Sequence, residues 1–537
     1  MSHHRILAAD LAFLEELIEV RRGDFSALYL AVRELHDLIR LRPDLAGLQT
    51  VSLLCRMLQS GEHARQKQSS VLYREVANAL RCLVLSSETV APVAEQSLMS
   101  LTNALAHPVA NTRRAAAEAL GGMPMAIHGP NLPQWSFKEP PLLRWHHLLA
   151  RGEVSANSEP AIWGRSLVIS RMTWNDLLVV KLARIQDHPE AMCREAWWFD
   201  YLRSSSCDLP VRFDVPRPLR IANQYLFRIL DPPIDGDTAN SLHPQGYAIA
   251  FTAHRDYFRY INESAQETGL RHTDFDEALC RNAWLLGHLT AKGIVHTAPI
   301  PLFHNRVQGH RRTDFGLYEW IRGGRLDRWL RSCRYPNLGL TGPRDFEHLL
   351  ACQNSGSGMY QRIGTQLLSL LLVAGSYFRN QDLQRVGLDD QGKPVDARDL
   401  FDRTFLQRLA QGIVTSYYAG FTGAEYTGTL PFDFEALSGR MIVEMGVDRH
   451  MEEILRVADQ ETMTDAEFQE FLGERGYSPE QAEGLERGAG DLMIHTGPHL
   501  GAFNNRISLP ELIDLVAIAS ALCVAGRYRQ ERTSSPF

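Results

Sequence analysis

Residues 177–204, LLVVKLARIQDHPEAMCREAWWFDYLRS, decide the fold. The apolar run around Lys181 predicts a strand, and the rest of the stretch predicts a helix with a proline in its first turn. Glu195 follows Lys181 by 14 residues on that helix, where its carboxylate can pair with the ammonium and orient it. Glu190 is the alternative partner, but it lies at the helix start, where a carboxylate more often interacts with the macrodipole.

Further strands are predicted on both sides of this stretch, and helices follow them. Strand-like patterns occur in AIWGRSLVIS (161–170), VPRPLRIAN (215–223) and QYLFRILDPP (224–233). DPPIDGD, 231–237, is rich in turn residues and predicts a hinge. Helical patterns follow in GYAIAFTAHRDYFRYINESA (246–265), FDEALCRNAWLLGHLTAKG (275–293), GTQLLSLLLVAGSYFRN (364–380) and FLQRLAQGIVTSYYAGF (405–421). Strands and helices in separate blocks predict an α+β fold.

Both ends of the chain are predicted to be helical. Residues 5–125 place apolar residues at helical spacing, and LTNALAHPVANTRRAAAEALGGM, 101–123, resembles a HEAT-type repeat unit. A helical bundle packed on the rest of the protein is the alternative for this region. The predicted domains are an α-helical repeat-like module, a linker, a strand-rich lobe, a helical lobe and a C-terminal helical domain, at 1–130, 131–160, 161–236, 237–430 and 431–537.

Composition and charge narrow the class of protein. Hydrophobic residues make up 45% and charged residues 22% of the chain, as in folded soluble proteins. The net charge of -7 argues against nucleic acid as a partner. The eight cysteines include no CxxC pair, so reduced thiols and no zinc site are expected. The N-terminus lacks a signal-peptide core and the apolar run at 367–375 is too short to cross a bilayer, so a cytoplasmic protein without membrane contact is expected.

A second stretch, GIVHTAPIPLFHNRVQGHRRTDFGLYE at 293–319, carries candidate metal ligands. Asn305 follows His296 by nine residues, and Asp314 begins the sequence Asp-Phe-Gly. This order resembles the catalytic loop and the metal-binding turn of a protein kinase. Asn305 and Asp314 offer oxygen ligands of the kind that Mg²⁺ prefers beside the phosphates of a nucleotide.

Two departures from the kinase pattern restrict the chemistry. No GxGxxG sequence precedes the first predicted hairpin, where Gly164 stands alone as a phosphate-covering glycine. Ala298 and two prolines stand where a kinase has its catalytic aspartate, so a hydroxyl nucleophile lacks a base that is worth about 10² to 10⁴ in rate. A carboxylate nucleophile, with an ordinary pKa near ~4, needs no base. The pattern therefore predicts that a protein carboxylate attacks the α-phosphate of ATP and that an amine then captures the acyl-adenylate.

From about 160 to 430, the chain resembles the SidJ family of bacterial pseudokinase-fold glutamylases. The resemblance lies in the LLVVKL strand, the helix with Glu195, the loop without aspartate and the TDFG sequence. It implies a two-lobed kinase-like core between an N-terminal helical module and a C-terminal helical extension. It also implies that Lys181, Glu195, Asn305 and Asp314 bind ATP and Mg²⁺ and that a glutamate of a target protein is joined to free glutamate.

The resemblance further implies a second nucleotide pocket in the helical lobe. Its candidate residues are His254, Tyr257 and Arg281. The alternative is that Tyr257 belongs to the core and that His254 and Arg281 lie at the surface or in ion pairs. The characterised member of the family depends on calmodulin. The last helix here lacks a basic amphipathic pattern, so that dependence is not carried over and an activating protein partner stays open.

Two other functions stay open on the same residues. A catalytically silent pseudokinase scaffold would bind a partner protein through its helical repeats, and it has no chemical need for all four residues of the predicted site. Phosphotransfer or AMP transfer to a hydroxyl would need another base, such as His304 or His296. Nucleotide binding that depends on Mg²⁺ would argue against the scaffold.

Overall fold

In the computed structural model, helices at both ends and in the second half of the chain surround one curled mixed β-sheet. The structure describes residues 2–60, 69–135, 139–163, 165–172, 175–185, 187–206, 208–234, 239–259, 261, 272–300, 336–352, 358–376, 403–434, 464–474, 485–488, 491–494 and 510–534. Buried side chains of the N-terminal helices and of the helices in the second half share one hydrophobic core. The two faces of the sheet have separate cores.

Helices fill the described part of the N-terminal region, which confirms the helical prediction for residues 5–125. They are α1 to α6, at Ser2–Val20, Phe25–Leu41, Leu48–Ser60, Ser69–Leu85, Ala91–Ala104 and Ala110–Gly121. Helix α2 begins where Asp24 accepts hydrogen bonds from the backbone N–H groups of Ser26 and Ala27. Its residues Val32 and Leu35 are buried on one face, as the helical spacing of apolar residues requires.

Later helices lie beside and after the sheet. They are α7 to α13, at Trp145–Arg151, Pro189–Ser206, His272–Ala291, Gly358–Ser376, Arg403–Thr422, Asp465–Glu474 and Pro510–Ser534. The helices predicted in 275–293, 364–380 and 405–421 are confirmed over their described residues. None of the helices in the described part of the chain has the length and apolar character needed to span a bilayer.

The predicted HEAT-type unit corresponds to α5 and α6, which are joined by a turn that contains Pro108. Helix α6 is rich in buried alanine, and the C-terminal helix α13 packs against it. Arg113 of α6 forms an ion pair with Asp514 of α13. The Tyr528 hydroxyl of α13 donates a hydrogen bond to the Val84 carbonyl at 3.0 Å. The helices of the two chain ends therefore pack directly on each other.

The sheet is built from strands in the first half of the chain. These are β1 to β7, at Leu142–Arg144, Ala161–Trp163, Ser166–Ser170, Asp176–Leu182, Arg217–Pro218, Phe227–Leu230 and Tyr247–His254. The strand order is β1-β6-β7-β4-β3-β2, with β5 also paired to β7, and only the β1–β6 pair is parallel. In β4, Lys181 lies between Ser166 of β3 and Ile249 of β7. The predicted α+β class is confirmed.

The helix predicted for 246–265 is wrong in its first half. Tyr247–His254 is strand β7, which pairs with β4 along its whole length. Ala248 is buried on one face of the sheet and Phe251 on the other. A strand that is buried on both faces has a continuous apolar run, and periodicity cannot distinguish it from a buried helix. The predicted hinge at 231–237 thus lies between two strands of the same sheet.

The segment predicted as a linker, 131–160, contributes to the sheet. Strand β1 pairs with β6 at the edge of the sheet, and helix α7 follows it directly. Leu148 and Leu149 of α7 are buried in the same core as Leu167 and Leu178 of the sheet. The proline-rich composition of this segment therefore accompanies an element that covers one face of the sheet.

Short strands after α9 hold residues 345–348 near the sheet. Ile294–His296 (β8) pairs with Leu349–Ala351 (β11), and Leu338–Gly339 (β9) pairs with Gly342–Pro343 (β10). Between these pairs, residues 346–348 form a one-turn 3₁₀ helix. Phe346 is fully buried and its ring lies 5.2 Å from that of Phe199 on α8. This packing attaches the turn to the helix that carries Glu195.

The sequence predicts a helical domain at 431–537, but two described segments of this block are strands. Leu485–Gly488 and Asp491–Ile494 form an antiparallel hairpin, β12 and β13, between α12 and α13. The register of the two strands pairs Leu485 with Ile494 and Gly488 with Asp491. Four-residue strands are too short for their periodicity to stand out in a sequence.

Helices α9 and α11 approach each other closely at two glycines. A Cβ atom on Gly420 would lie 2.0 Å from the carbonyl oxygen of Trp284. A Cβ atom on Gly287 would lie 2.3 Å from the carbonyl oxygen of Tyr417. Both neighbours are backbone atoms, which cannot rotate away as a side chain can. Glycine is therefore required at both positions for this helix pair.

We expect Gly420→Ala to lower the free energy of unfolding by at least about 3 kcal/mol, because the added methyl group forces the two helices apart. Thermal unfolding followed by circular dichroism should show a midpoint about 5 °C lower. Gly473→Ala, in helix α12, is the matched control, since its added methyl group meets none of the described atoms within 4 Å. An unchanged midpoint for Gly420→Ala would contradict the close packing of α9 and α11.

Candidate functional site

The predicted pair of Lys181 and Glu195 is present. The Lys181 ammonium Nζ donates a hydrogen bond to Glu195 Oε2 at 2.7 Å. Both side chains are almost fully buried, with exposed fractions of 10% and 5%. A buried ion pair is costly to desolvate, so its presence between a strand and a helix makes it a candidate site.

Local sequence explains why Glu195 reaches Lys181 and Glu190 does not. Helix α8 buries the face that carries Met192, Glu195 and Phe199, which are spaced by three and four residues. Glu190 lies in the first turn and is exposed. The choice of Glu195 over Glu190 is confirmed.

Glu347 contacts Lys181 and is joined in turn to Arg165 and Asp187, three residues that no sequence motif indicates. Glu347 Oε2 accepts a hydrogen bond from Lys181 Nζ at 2.8 Å and another from Arg165 Nη2 at 2.7 Å. The second nitrogen of the Arg165 guanidinium, Nη1, pairs with Asp187. We call Arg165, Lys181, Asp187, Glu195 and Glu347 the Lys181 cluster. It joins the β2–β3 turn, strand β4, helix α8 and the turn at 345–348.

Charge and burial act on the pKa values of this cluster in opposite directions. Burial alone would lower the pKa of Lys181, but Glu195 and Glu347 outweigh it and hold that pKa above its ordinary value. Burial raises the pKa of Glu195 to about 6, despite the opposing effect of Lys181. Burial would also raise the pKa of Glu347, but Lys181 and Arg165 outweigh it and the pKa lies below its ordinary value. Lys181 and Glu347 are therefore both charged at neutral pH.

Beside the Lys181 cluster, three side chains have the geometry of a cation site. The ligand atoms of Asp345, Glu347 and His348 all lie within 4.8 Å of one another. His348 Nε2 lies 3.2 Å from Asp345 Oδ2, and this carboxylate outweighs burial to raise the pKa of His348. The carboxylate oxygens suit Mg²⁺, whereas imidazole suits transition metals better.

Asp345 has an unusual backbone conformation, with φ 57° and ψ 61°. A non-glycine residue in this left-handed region costs free energy of the order of 1 kcal/mol or more, and such residues cluster at functional sites. Phe346, next in the chain, is fully buried against Phe199 and Phe213. The packing of Phe346 therefore fixes Asp345 in its strained conformation. The same packing directs the turn toward Lys181.

The loop after β8, where a kinase has its catalytic aspartate, is closed by internal hydrogen bonds. Ala298 is fully buried, and its carbonyl accepts a hydrogen bond from Asn337 Nδ2 at 2.8 Å. His296 Nδ1 accepts from the Ala298 N–H at 3.2 Å, so Nε2 carries the proton and donates to the Arg344 carbonyl at 2.6 Å. Both ring nitrogens are engaged, which leaves His296 a bracing role and not that of a base.

The remaining predicted site residues have different positions. Asn305, Asp314, Gly164 and His304 lie outside the described residues, so their roles stay predictions. The structure does describe a second pair of the same type, Asn337 followed by Asp345 eight residues later, outside the predicted motif.

The three residues predicted for a second nucleotide pocket each have structural partners. Tyr257 is buried in the core beside Phe346, which agrees with the alternative that the sequence left open. His254 Nδ1 accepts from the Asp256 N–H at 3.2 Å and lies 3.4 Å from the Asp256 carboxylate. Arg281 donates to the Leu340 carbonyl at 2.8 Å. Their role in nucleotide binding stays a prediction.

One sequence signal could have located Asp345. Asp-Phe occurs five times in the chain, and only the pairs at 314–315 and 345–346 follow an asparagine by eight or nine residues. In the second case Glu347 replaces the glycine that marks the first. Arg165 has no such signal, because its contact with Glu347 joins residues that are 182 positions apart.

Comparison of the chain with models of protein families yields no match, and no curated protein matches it either. The geometry of the Lys181 cluster and its neighbours is thus the basis for assigning a function.

Proposed function

We propose that this protein is a pseudokinase-fold enzyme that uses Mg·ATP to activate a protein carboxylate as an acyl-adenylate and joins it to an amine, with free glutamate as the amine. The observation that carries the proposal is the buried Lys181–Glu195 pair, at 2.7 Å, beside the strained Asp345. A lysine on a strand that is oriented by a glutamate on the next helix is the phosphate-binding arrangement of protein kinases. A two-lobed kinase-like core is part of the same proposal.

The charge balance of the site supports a divalent cation. Three carboxylates, those of Glu195, Glu347 and Asp345, lie close enough to Lys181 to raise its pKa. Burial is the main cause of the raised pKa of Glu195, and the negative charges of Glu347 and Asp345 add to it, so a cation near these carboxylates would be stabilised. Mg²⁺ would be held by oxygen ligands, with Asp345 as the first of them, and would neutralise charge on the nucleotide phosphates. Asp314 stays the metal ligand that the sequence predicts, and we propose Asp345 as a further one.

The loop between β8 and β9 supports a nucleophile that needs no base. Ala298 replaces the aspartate of a kinase, and His296 is fully hydrogen-bonded to backbone groups. The described residues of this loop, 297–300 and 336–337, include no carboxylate or histidine that could take the proton of a hydroxyl, whereas a carboxylate nucleophile is ionised at neutral pH. Attack of a carboxylate is therefore the chemistry that fits these residues.

The proposed reaction has two steps. A carboxylate oxygen of the target protein forms a bond to the α-phosphorus of ATP, the bond from that phosphorus to the bridging oxygen breaks, and pyrophosphate leaves. The amine nitrogen of glutamate then forms a bond to the acyl carbon, AMP leaves with the bonding electron pair, and the amine releases a proton. Lys181 would bind the phosphates, and Glu195 would orient the Lys181 ammonium. In this buried site the ammonium would stabilise the negative charge of the leaving group.

A silent scaffold is the second candidate, and one observation favours it. Lys181 Nζ is already bonded to two carboxylates, at 2.7 Å and 2.8 Å, so the cluster is satisfied without a ligand. In that case the helices of the N-terminal region would provide a surface for a partner protein, and the cluster would serve stability alone.

The test of the proposed function is incubation with Mg²⁺ and ATP that is labelled at either the α- or the γ-phosphate, with cell lysate as the source of acceptors. We expect pyrophosphate release and α-label on protein, and discharge of that label by added glutamate. Label transferred only from the γ-phosphate would restore an ordinary kinase. Neither label, together with no binding of Mg·ATP, would establish the scaffold as the better account.

A further inference from the structure

We propose that Arg165 and Lys181 together form the phosphate site and that the Glu347 carboxylate occupies it as an internal competitor of phosphate. This inference rests on the proposed nucleotide-binding function and adds a second phosphate-binding residue and an autoinhibitory contact to it. Arg165 belongs to the turn between β2 and β3, where a kinase has its glycine-rich loop and where no GxGxxG sequence occurs.

The first argument is the geometry of the shared oxygen. A single atom, Glu347 Oε2, accepts from Lys181 Nζ at 2.8 Å and from Arg165 Nη2 at 2.7 Å. Two cations that converge on one anionic oxygen are the arrangement that a phosphate oxygen receives in a binding site. The carboxylate thus lies where a phosphate oxygen would lie.

The second argument is that Glu347 is not needed to neutralise either cation. Lys181 keeps its pair with Glu195, and Arg165 keeps its pair with Asp187. If Glu347 moved away, Lys181 would retain Glu195 and Arg165 would retain Asp187. Each cation would also have a hydrogen-bond donor directed at the position that Glu347 had left. The cost of displacing Glu347 is therefore the loss of its own contacts and not the isolation of a buried charge.

The third argument is access. The side chain of Glu347 is 29% exposed, against 5% for Glu195, so Glu347 is the solvent-facing carboxylate on Lys181. Its other oxygen, Oε1, lies 3.5 Å from His348 Nε2. A ligand that enters from solvent meets Glu347 first, and the displaced carboxylate would still lie beside the His348 imidazole.

As a consequence, the Glu347 carboxylate lowers the affinity of the site for phosphate. Arg165 supplies the phosphate contacts that backbone amides of a glycine-rich loop supply elsewhere. Binding of a nucleotide must break two charge-assisted hydrogen bonds of Glu347, so removal of the Glu347 charge should tighten binding of any polyphosphate.

The test uses the full-length protein and inorganic tripolyphosphate, which has phosphate oxygens but cannot transfer AMP, with isothermal titration calorimetry as the readout. We expect Glu347→Gln to bind tripolyphosphate at least about tenfold more tightly than the unmodified protein, because the amide keeps the shape of the side chain without its charge. Adding Arg165→Gln to Glu347→Gln should reverse the gain at least about tenfold. The control is Glu153→Gln, which removes the charge from another Arg–Glu pair, with Arg171; it should leave binding unchanged.

Equal or weaker binding by Glu347→Gln, or tight binding that survives loss of Arg165, would overturn the inference. Thermal unfolding verifies that each variant is folded. If Glu347→Gln does not fold, Glu347→Asp, one methylene shorter, removes the shared contact and should tighten binding in the same direction. AMP transfer from labelled ATP is scored separately. Tighter binding by Glu347→Gln without AMP transfer by the unmodified protein would therefore refute the proposed function and support this inference. AMP transfer by the unmodified protein without tighter binding by Glu347→Gln would support the proposed function and refute this inference.

Discussion

Replacing Lys181 with Met should abolish transfer of AMP from ATP and also destabilise the protein. Loss of the ammonium removes the phosphate contact in a buried site, and removal of such a group costs about 10² to 10³ in rate. It also leaves Glu195 buried without its partner, which costs about 3–5 kcal/mol. The measurements are α-label transfer and the midpoint of urea unfolding.

A double variant separates the two effects of Lys181→Met. Replacing Glu195 with Leu in the same chain converts the buried pair into an apolar contact, which is close to neutral for stability. We expect Lys181→Met/Glu195→Leu to recover most of the unfolding midpoint and to remain inactive. Activity that returns together with stability would show that the pair serves folding alone.

Replacing Asp345 with Asn should reduce AMP transfer at least about a hundredfold, because the amide loses the charge that would hold Mg²⁺ beside the phosphates. The matched control is Asp37→Asn, which removes the charge of an exposed aspartate on helix α2. We expect it to keep activity within a few-fold of the unmodified protein. The readout is α-label transfer over a range of Mg²⁺ concentrations, and Asp345→Asn should need more Mg²⁺.

Activity of Asp345→Asn equal to that of the unmodified protein would contradict the role given to Asp345, and an inactive Asp314→Asn beside it would leave the metal with the Asp-Phe-Gly sequence alone. A variant that is inactive because it is misfolded should not respond to added Mg²⁺, whereas loss of a metal ligand should raise the Mg²⁺ requirement of the residual rate.

The Lys181–Glu195 pair could be predicted from the sequence because both partners lie in elements with a clear local pattern. The apolar run of β4 indicates a buried strand, and the spacing of Met192, Glu195 and Phe199 places the carboxylate on the buried face of α8. Each pattern is local, and the helix directly follows the strand, so few topologies can connect them.

The other half of the site could not be predicted in the same way. Glu347 and Arg165 meet across 182 positions of the chain, and no local pattern reports a contact of that range. Asp345 was hidden by Glu347 in the place of a glycine, while Asp314 has the complete Asp-Phe-Gly sequence. Strand β7 was mistaken for a helix because it is buried on both faces and shows no alternation.

Binding of ATP at increasing Mg²⁺, measured by calorimetry on the full-length protein and on Asp345→Asn, tests the central claim most directly. The account predicts a single saturable site that requires Mg²⁺ and is weakened at least about tenfold in the variant. Absence of saturable binding at millimolar ATP, or equal binding with and without Mg²⁺ in both proteins, would contradict the claim that the Lys181 cluster and Asp345 form a nucleotide site.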